Sequence, residues 1–212
     1  MKTVSVILAR KGSKGIYNKN LTSINKNYPL IKYTIDASLN SKSSETWVST
    51  NCKHIAEVSE LLGAKILWRP DKLSTDTSTS ESALLHFAEN IAFERLIFIQ
   101  PTSPLLKFNY IDKGLELMET YDSVFSAYKE KWSAKFDKKG NPINWDINNR
   151  PRRQDVDDVY VENGAFYITT KENLLKSKLR YSGNIGIIEM PFSESFQVDD
   201  NDDLKLIRKL CK

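Results

Sequence analysis

The chain has 212 residues, 40% of them apolar, enough to bury one core and short for two. Its net charge of +4 is too small for a general nucleic-acid binder, and the opening apolar run, residues 4–9, is too short to cross a bilayer or to form a signal-peptide core. Cys52 and Cys211 lie far apart and fit no CxxC or Cys/His metal spacing, which reads as free thiols in a reducing compartment, by default the cytoplasm.

Taken in chain order, residues 3–9 are β-branched and apolar almost throughout, as in a strand buried on both faces of a parallel sheet. The strand stops at a glycine loop. Short apolar runs recur at 46–49, 65–68, 96–100 and 123–127, separated by helical spacing of apolar residues at 30–39, 55–62, 81–93 and 111–120. This alternation predicts an α/β fold with right-handed crossovers. Residues 129–160 break it, being rich in Lys, Asp, Asn and Arg and carrying Gly140, Pro142 and Pro151. Trp132, Phe136, Trp145 and Tyr160 give that stretch apolar anchors that a solvated linker would not need, so it reads as an inserted arm or lid. Order returns at 164–169 and 185–190, and an amphipathic helix over 203–210 follows. His54 and His86 sit on helical segments without partners and take no role.

The basic residues are unevenly placed. Lys2, Arg10, Lys11, Lys14, Lys19, Lys26 and Lys32 all precede the first acid, Asp36, so one end of the fold concentrates positive field and suits an anionic ligand. Within this stretch, Ile7-Leu8-Ala9-Arg10-Lys11-Gly12-Ser13-Lys14-Gly15 leaves the first strand with small residues, backbone N–H groups and cations at the strand's carboxyl end. Glycines let a backbone close around an oxyanion, arginine supplies a planar fork, and lysine a mobile point charge. The carboxyl edge of a parallel sheet is also where α/β proteins bind ligands. Gly12 and Gly15 have the wrong spacing for a Walker A loop or a GxGxxG fingerprint. On this segment alone, a solvated surface turn fits as well as a phosphate loop.

The following Ile16-Tyr17-Asn18-Lys19-Asn20-Leu21 tips the balance, because the whole block resembles the N-terminal signature of the N-acylneuraminate cytidylyltransferases, which make CMP-nonulosonates. Residues 69–77 (Arg-Pro-Asp-Lys-Leu-Ser-Thr-Asp-Thr), 100–105 (Gln-Pro-Thr-Ser-Pro-Leu) and 163–168 (Asn-Gly-Ala-Phe-Tyr-Ile) resemble that family's later motifs in the same order. Four ordered blocks are far more specific than one glycine loop. The resemblance implies a single Rossmann-like, three-layer α/β domain over residues 1–212, with a mainly parallel sheet, of the nucleotide-diphospho-sugar transferase type. It implies transfer of CMP from CTP to a sialic-acid-like nonulosonic acid, with Mg2+ as cofactor.

By the resemblance, Arg10, Gly12, Ser13, Lys14, Lys19 and Asn20 surround CTP, with Arg69, Asp76 and Thr77 completing the nucleotide side. Arg10, Lys14 and Lys19 are the expected catalytic cations, since attack on the α-phosphorus spreads negative charge over phosphoryl oxygens and leaving pyrophosphate. Gln100, Thr102, Ser103 and Asn163 fall to the sugar, although a proline-bounded turn explains residues 100–104 equally well on sequence. Arg153 and Gln154 match the family's carboxylate-binding offset, and Lys135 and Tyr167 are further sugar candidates. Asp199 is the expected metal ligand. The family's Asp-x-Asp pair is here Gln197-Val198-Asp199, and a neutral Gln oxygen binds magnesium more weakly. Asp199, Asp200, Asp202 and Asp203 also suit the N-terminus of the last helix. Leu106 and Val161 stand where relatives carry arginines, which leaves the identity of the acidic sugar open. The alternatives are a deaminated, legionaminic, pseudaminic or octulosonic acid, or a nucleotide-binding relative without activity. Family analogy further implies a homodimer, with residues 129–160 reaching a second subunit, and neither nucleic acid nor membrane as partner. A nucleic-acid module would predict steeply salt-dependent binding, and the basic region lacks the interleaved aromatics of a single-strand binder.

Overall fold

The computed structural model describes residues 1–25 and 28–211, so Lys26, counted above among the early cations, lies outside the described residues. The apolar runs become strands β1 (Thr3–Leu8), β4 (Glu45–Thr50), β5 (Lys65–Trp68), β6 (Arg95–Ile99), β7 (Ser123–Glu130), β8 (Val159–Thr170) and β9 (Ile185–Glu189). They form one seven-stranded sheet in the order β5-β4-β1-β6-β8-β7-β9. β8 runs antiparallel to both of its neighbours and every other pairing is parallel, so the sheet is mainly parallel. A small hairpin, β2 (Ser23–Asn25) with β3 (Tyr28–Pro29), stands apart from it.

β1 is central and buried on both faces, as its unbroken apolar run requires. Val4 and Val6 point to one face, where Leu84 and Phe87 of α3 (Ser80–Asn90) and Leu174 of α5 (Lys171–Ser177) cover them. Ile7 points to the other, under α1 (Leu30–Leu39), α2 (Lys53–Leu61) and α4 (Phe108–Leu117), which contribute Ile31, Ile35, Ile55, Ile111 and Leu115. The result is the expected three-layer α/β architecture. A third cluster joins the last helix, α6 (Asn201–Leu210), to the hairpin region through Ile16, Ile24, Leu30, Val198, Leu204 and Ile207.

Local chemistry starts the helices where it does. α1 begins after Pro29, which cannot extend the helix backwards through a hydrogen bond of its own. Thr79 caps α3 by accepting from Ser82 N at 3.1 Å, and Thr170 caps α5 by accepting from Asn173 N at 3.0 Å. α6 carries a capping box between Asp200 and Asp203.

Two boundaries differ from expectation. The arm is shorter than 129–160 at both ends, because β7 continues to Glu130 and β8 starts at Val159, pairing Lys129 with Tyr160. The polar surroundings of those residues conceal a ladder that backbone groups alone sustain. α5 and the β2–β3 hairpin were not expected, since seven and five residues are too few for periodicity to show. The arm packs on itself: Phe136 meets Trp145 edge-on at 5.6 Å, and Arg150 lies over the Trp145 and Trp132 rings at 5.3 and 5.9 Å.

Candidate active site

Four carboxyl ends of strands converge at one edge of the sheet: Arg10 follows β1, Asn51 follows β4, Arg69 follows β5 and Gln100 follows β6. Because β8 is antiparallel, its early residues reach the same edge, and Gln100 N donates to Ala165 O at 3.1 Å.

The loop after β1 is tied shut by its own groups. Arg10 Nη1 donates to Gly12 O at 2.9 Å, and Gly12 has a φ of +79°, a conformation that a side chain would strain. Asn18 takes the left-handed conformation that leads into a 3-10 turn over Lys19–Leu21, and Asn20 Nδ2 reaches back to Arg10 O at 3.3 Å. Lys11 N donates to Asn51 Oδ1, and Asn51 Nδ2 to Asp71 Oδ1, both at 2.9 Å, anchoring the loop to neighbouring strand ends.

These restraints put Arg10, Ser13, Lys14, Lys19, Asn20, Thr102 and Asp199 on the wall of one cavity of about 360 Å³, with Gln100 at its inner side. Asp76 pairs with Arg10 at 2.7 Å and Lys14 at 3.4 Å, and the Arg10 hydrogen bond holds its carboxyl below the usual range. Lys19, only 14% exposed, pairs with Asp199 at 2.9 Å.

Arg69 is buried near Arg10 with no acidic partner among the described residues: its Nε donates to Ser74 Oγ at 3.0 Å. Burial and the nearby Arg10 push its pKa down to about 10. A buried cation next to another cation is costly without an anion. Among the described residues, Thr102 Oγ1 and Ser103 Oγ are likewise buried without a partner, and Thr102 lines the cavity.

A second cavity, about 520 Å³, shares Gln100 and Asp199 with the first, so the two adjoin. Its floor is a bulge in which residues 163–166 of β8 face Ser126 of β7. Asn163 fixes this bulge. Its Oδ1 accepts from Ser126 Oγ at 2.6 Å and Ala165 N at 3.2 Å, and its Nδ2 donates to Ser195 Oγ at 2.9 Å. Gly164 has a φ of +68°, and a Cβ there would collide with the Gln197 amide. Tyr167 is buried on the wall, stacked on Phe98 at 5.4 Å, with its hydroxyl donated to Glu162.

The expected residues therefore separate into groups. Arg10, Ser13, Lys14, Lys19, Asn20, Gln100, Thr102, Asn163, Tyr167 and Asp199 line the joined cleft. Gly12, Arg69, Asp76 and Ser103 support its wall, and Thr77 lies on the exposed turn beyond Asp76, its hydroxyl 3.2 Å from Thr75 Oγ1. Arg153 and Gln154 line a different cavity, with Trp132 and Lys129, and Lys135 pairs with Glu130 at 3.0 Å on the arm. Sequence reading missed Ser80 and Phe98 in the first cavity and Glu162 and Arg180 in the second. Ser80 lies in the Ser/Thr-rich run before α3, a visible signal, whereas Arg180 belongs to no motif.

For a divalent cation, Asp199 offers one carboxylate facing the phosphate-side cavity, and Gln197 is turned away, donating its amide to the Asn163 carbonyl. Among the described residues no group of three or more His, Cys, Asp or Glu side chains converges. Magnesium bound through one or two carboxylates, substrate phosphates and water fits that arrangement.

A family model described as Cytidylyltransferase matches residues 4–212. The chain is 37% identical to an N-acylneuraminate cytidylyltransferase of Oncorhynchus mykiss over 182 residues, 80% of this chain and 41% of that protein. It is 33% identical to a CMP-N,N'-diacetyllegionaminic acid synthase of Legionella pneumophila over 231 aligned residues, 100% of this chain and 97% of that protein. The chain thus spans about half the length of the fish relatives and nearly all of the Legionella protein. A CMP:2-keto-3-deoxy-manno-octonic acid synthetase complexed with CTP shares the fold, with a TM-score of 0.76 at 18% identity over 100% of this chain and 98% of that one.

Proposed function

The chain belongs to the cytidylyltransferase family, and from that premise we propose that it transfers CMP from CTP to the anomeric hydroxyl of a sialic-acid-like nonulosonic acid. One observation carries the reading. Three cations of one loop line a cavity that adjoins a second, sugar-sized one, and Arg69, without an acid among the described residues, lies buried near Arg10.

In this reading the triphosphate lies against Arg10, Lys14 and Lys19, displacing Asp76 from Arg10, and Asn20 and Arg69 complete the nucleotide side. The sugar occupies the second cavity beside Gln100 and Tyr167. Its anomeric oxygen forms the new bond to the α-phosphorus and gives up its proton to solvent water. The bond from that phosphorus to the bridging oxygen breaks with its electron pair leaving on pyrophosphate. Once Asp76 is displaced, Arg10, Lys14 and Lys19 meet the charge that develops on the phosphoryl oxygens. Magnesium, held by Asp199 and phosphate oxygens, would neutralise leaving-group charge. Asn163 contributes shape, since its amide is taken up by the bulge.

The working form in this proposal is a cytoplasmic homodimer. Arg153, Gln154 and Lys135 sit on an arm away from their own cleft, which suits delivery to a second copy, and Cys52 and Cys211 are both free. Legionaminic acid is the second reading for the sugar, because the Legionella relative named for it matches nearly end to end.

The test is pyrophosphate release from CTP and Mg2+ with a panel of nonulosonic and octulosonic acids. Release is expected with one panel member, and Lys14→Ala should reduce it by about 100-fold, the scale of removing one transition-state donor. CTP binding without release for any sugar would instead assign a nucleotide-binding protein.

A further inference from the structure

Among the described residues, Arg180 is the one cation on the wall of the sugar-side cavity. It follows α5 on the chain, its side chain is 24% exposed, and its Nε donates to Glu81 Oε1 at 2.6 Å. The guanidinium lies over the rings of Tyr167 at 5.1 Å and Phe98 at 5.6 Å. Apart from the neighbouring Tyr167 hydroxyl, no described residue takes a hydrogen bond from its Nη groups, which leaves donors to spare at the cavity wall.

The charge around it decides what those donors suit. Glu162, on the same wall, accepts from the hydroxyls of Tyr167 and Tyr181, the latter at 3.1 Å. Burial raises both phenol pKa values, and Glu162 raises them further, so both hydroxyls stay protonated as donors. Glu81 pairs with the guanidinium, Glu162 and Asp203 lie on the same cavity wall, and Asp199, paired with Lys19, borders it too. A further carboxylate brought here by a ligand would be repelled, whereas a neutral acceptor would gain a charge-assisted hydrogen bond. Phe192 and Phe196 supply apolar surface for a small alkyl group close by.

We propose that Arg180 determines sugar specificity by donating to the carbonyl of an acylamino substituent, while the surrounding carboxylates turn the sugar's own carboxylate toward the cationic loop. The inference rests on the cytidylyltransferase reading. Its chemistry differs from that of a general anion site, because the group recognised is uncharged.

The experiment is steady-state kinetics of Arg180→Gln and Arg180→Lys at saturating CTP, with an acylated nonulosonic acid and its counterpart carrying a hydroxyl at the same carbon. Wild type should prefer the acylated sugar. Arg180→Gln should raise KM for it about tenfold or more, the effect of one charge-assisted hydrogen bond. KM for CTP should stay within about twofold, and the preference between the two sugars should collapse. Arg180→Lys keeps the charge for Glu81 and so protects the fold, yet a lysine has no planar fork, and the preference should collapse there too. An equal loss with both sugars would make Arg180 a strut between α3 and α5 and overturn the proposal, as would a wild-type preference for the hydroxyl sugar. If wild type releases pyrophosphate with no acidic sugar, the function itself falls and this inference with it.

Discussion

At the scale of single residues, the cleft is built from groups whose ordinary neighbours are missing or too near. Gly15 packs against the main chain of Asp199, and a Cβ there would overlap the Asp199 carbonyl oxygen. Backbone cannot yield as a side-chain tip can, so Gly15→Ala should force the loop from the Asp199 segment. We expect activity to fall by more than about tenfold while thermal unfolding drops only a few degrees, the cost of local overpacking. Arg69 supports the opposite kind of prediction. Its charge lies buried beside Arg10 with no acid among the described residues, so the folded chain bears a cost that, in the proposed function, bound nucleotide would relieve. Arg69→Met should leave the melting temperature without ligand unchanged or higher and abolish the upward shift that CTP causes. A large loss of stability without ligand would contradict this account.

At the scale of elements, strand ends and helix caps carry separable loads. Glu45 opens β4 and holds Lys65 of β5 at 3.0 Å, Trp47 Nε1 at 2.8 Å and Lys2 before β1 at 3.2 Å. Led by the Lys65 contact, these donors lower its pKa from 4.5 to about 2. A carboxyl held lower in the folded state stabilises fully above its unfolded value and loses that effect as pH falls through the folded one. Glu45→Gln should therefore melt lower than wild type near neutrality, by a modest amount for so exposed a cluster, and the two curves should converge between pH 4.5 and 2. Asp200→Ala removes the side-chain cap of α6 and should lower the melting temperature modestly. It should spare CTP binding, because Asp203 still holds the backbone N–H of Asp199 at 3.0 Å.

The elements were also where reading from sequence succeeded best. β1, the strand-helix alternation and the α6 acids announce themselves because burial on two faces, a 3.6-residue period and a capping box each leave a pattern in the letters. The place of the cationic loop on a cavity wall was legible too, since its glycines and cations are gathered in a short span at the end of β1. Arg180 was not legible, because its place depends on Glu81, Phe98 and Tyr167, which come from three different elements. Asn163 was read as a sugar contact, while its amide is engaged in a bulge that only the β7–β8 register reveals.

At the scale of the whole molecule, the arm exposes Phe136, Ile143 and Ile147 on a segment that packs mainly on itself. If it serves a second copy, light scattering should give the mass of two chains, and Ile143→Asp with Ile147→Asp should return it to one, with the fold kept and sugar turnover reduced. A single-chain mass for wild type would remove the arm from the proposal.

The contact between α6 and the segment after the cationic loop sets an order of events in folding. Arg208 Nη2 donates to Ser23 O at 2.8 Å and Asn25 Nδ2 to Cys211 O at 2.8 Å, so α6 clasps the region just after the cationic loop. Lys19 pairs with Asp199, 180 residues away along the chain. Contacts of such separation close a large loop of chain and form late, so in partly folded chains the cations after β1 stand open to solvent until α6 docks.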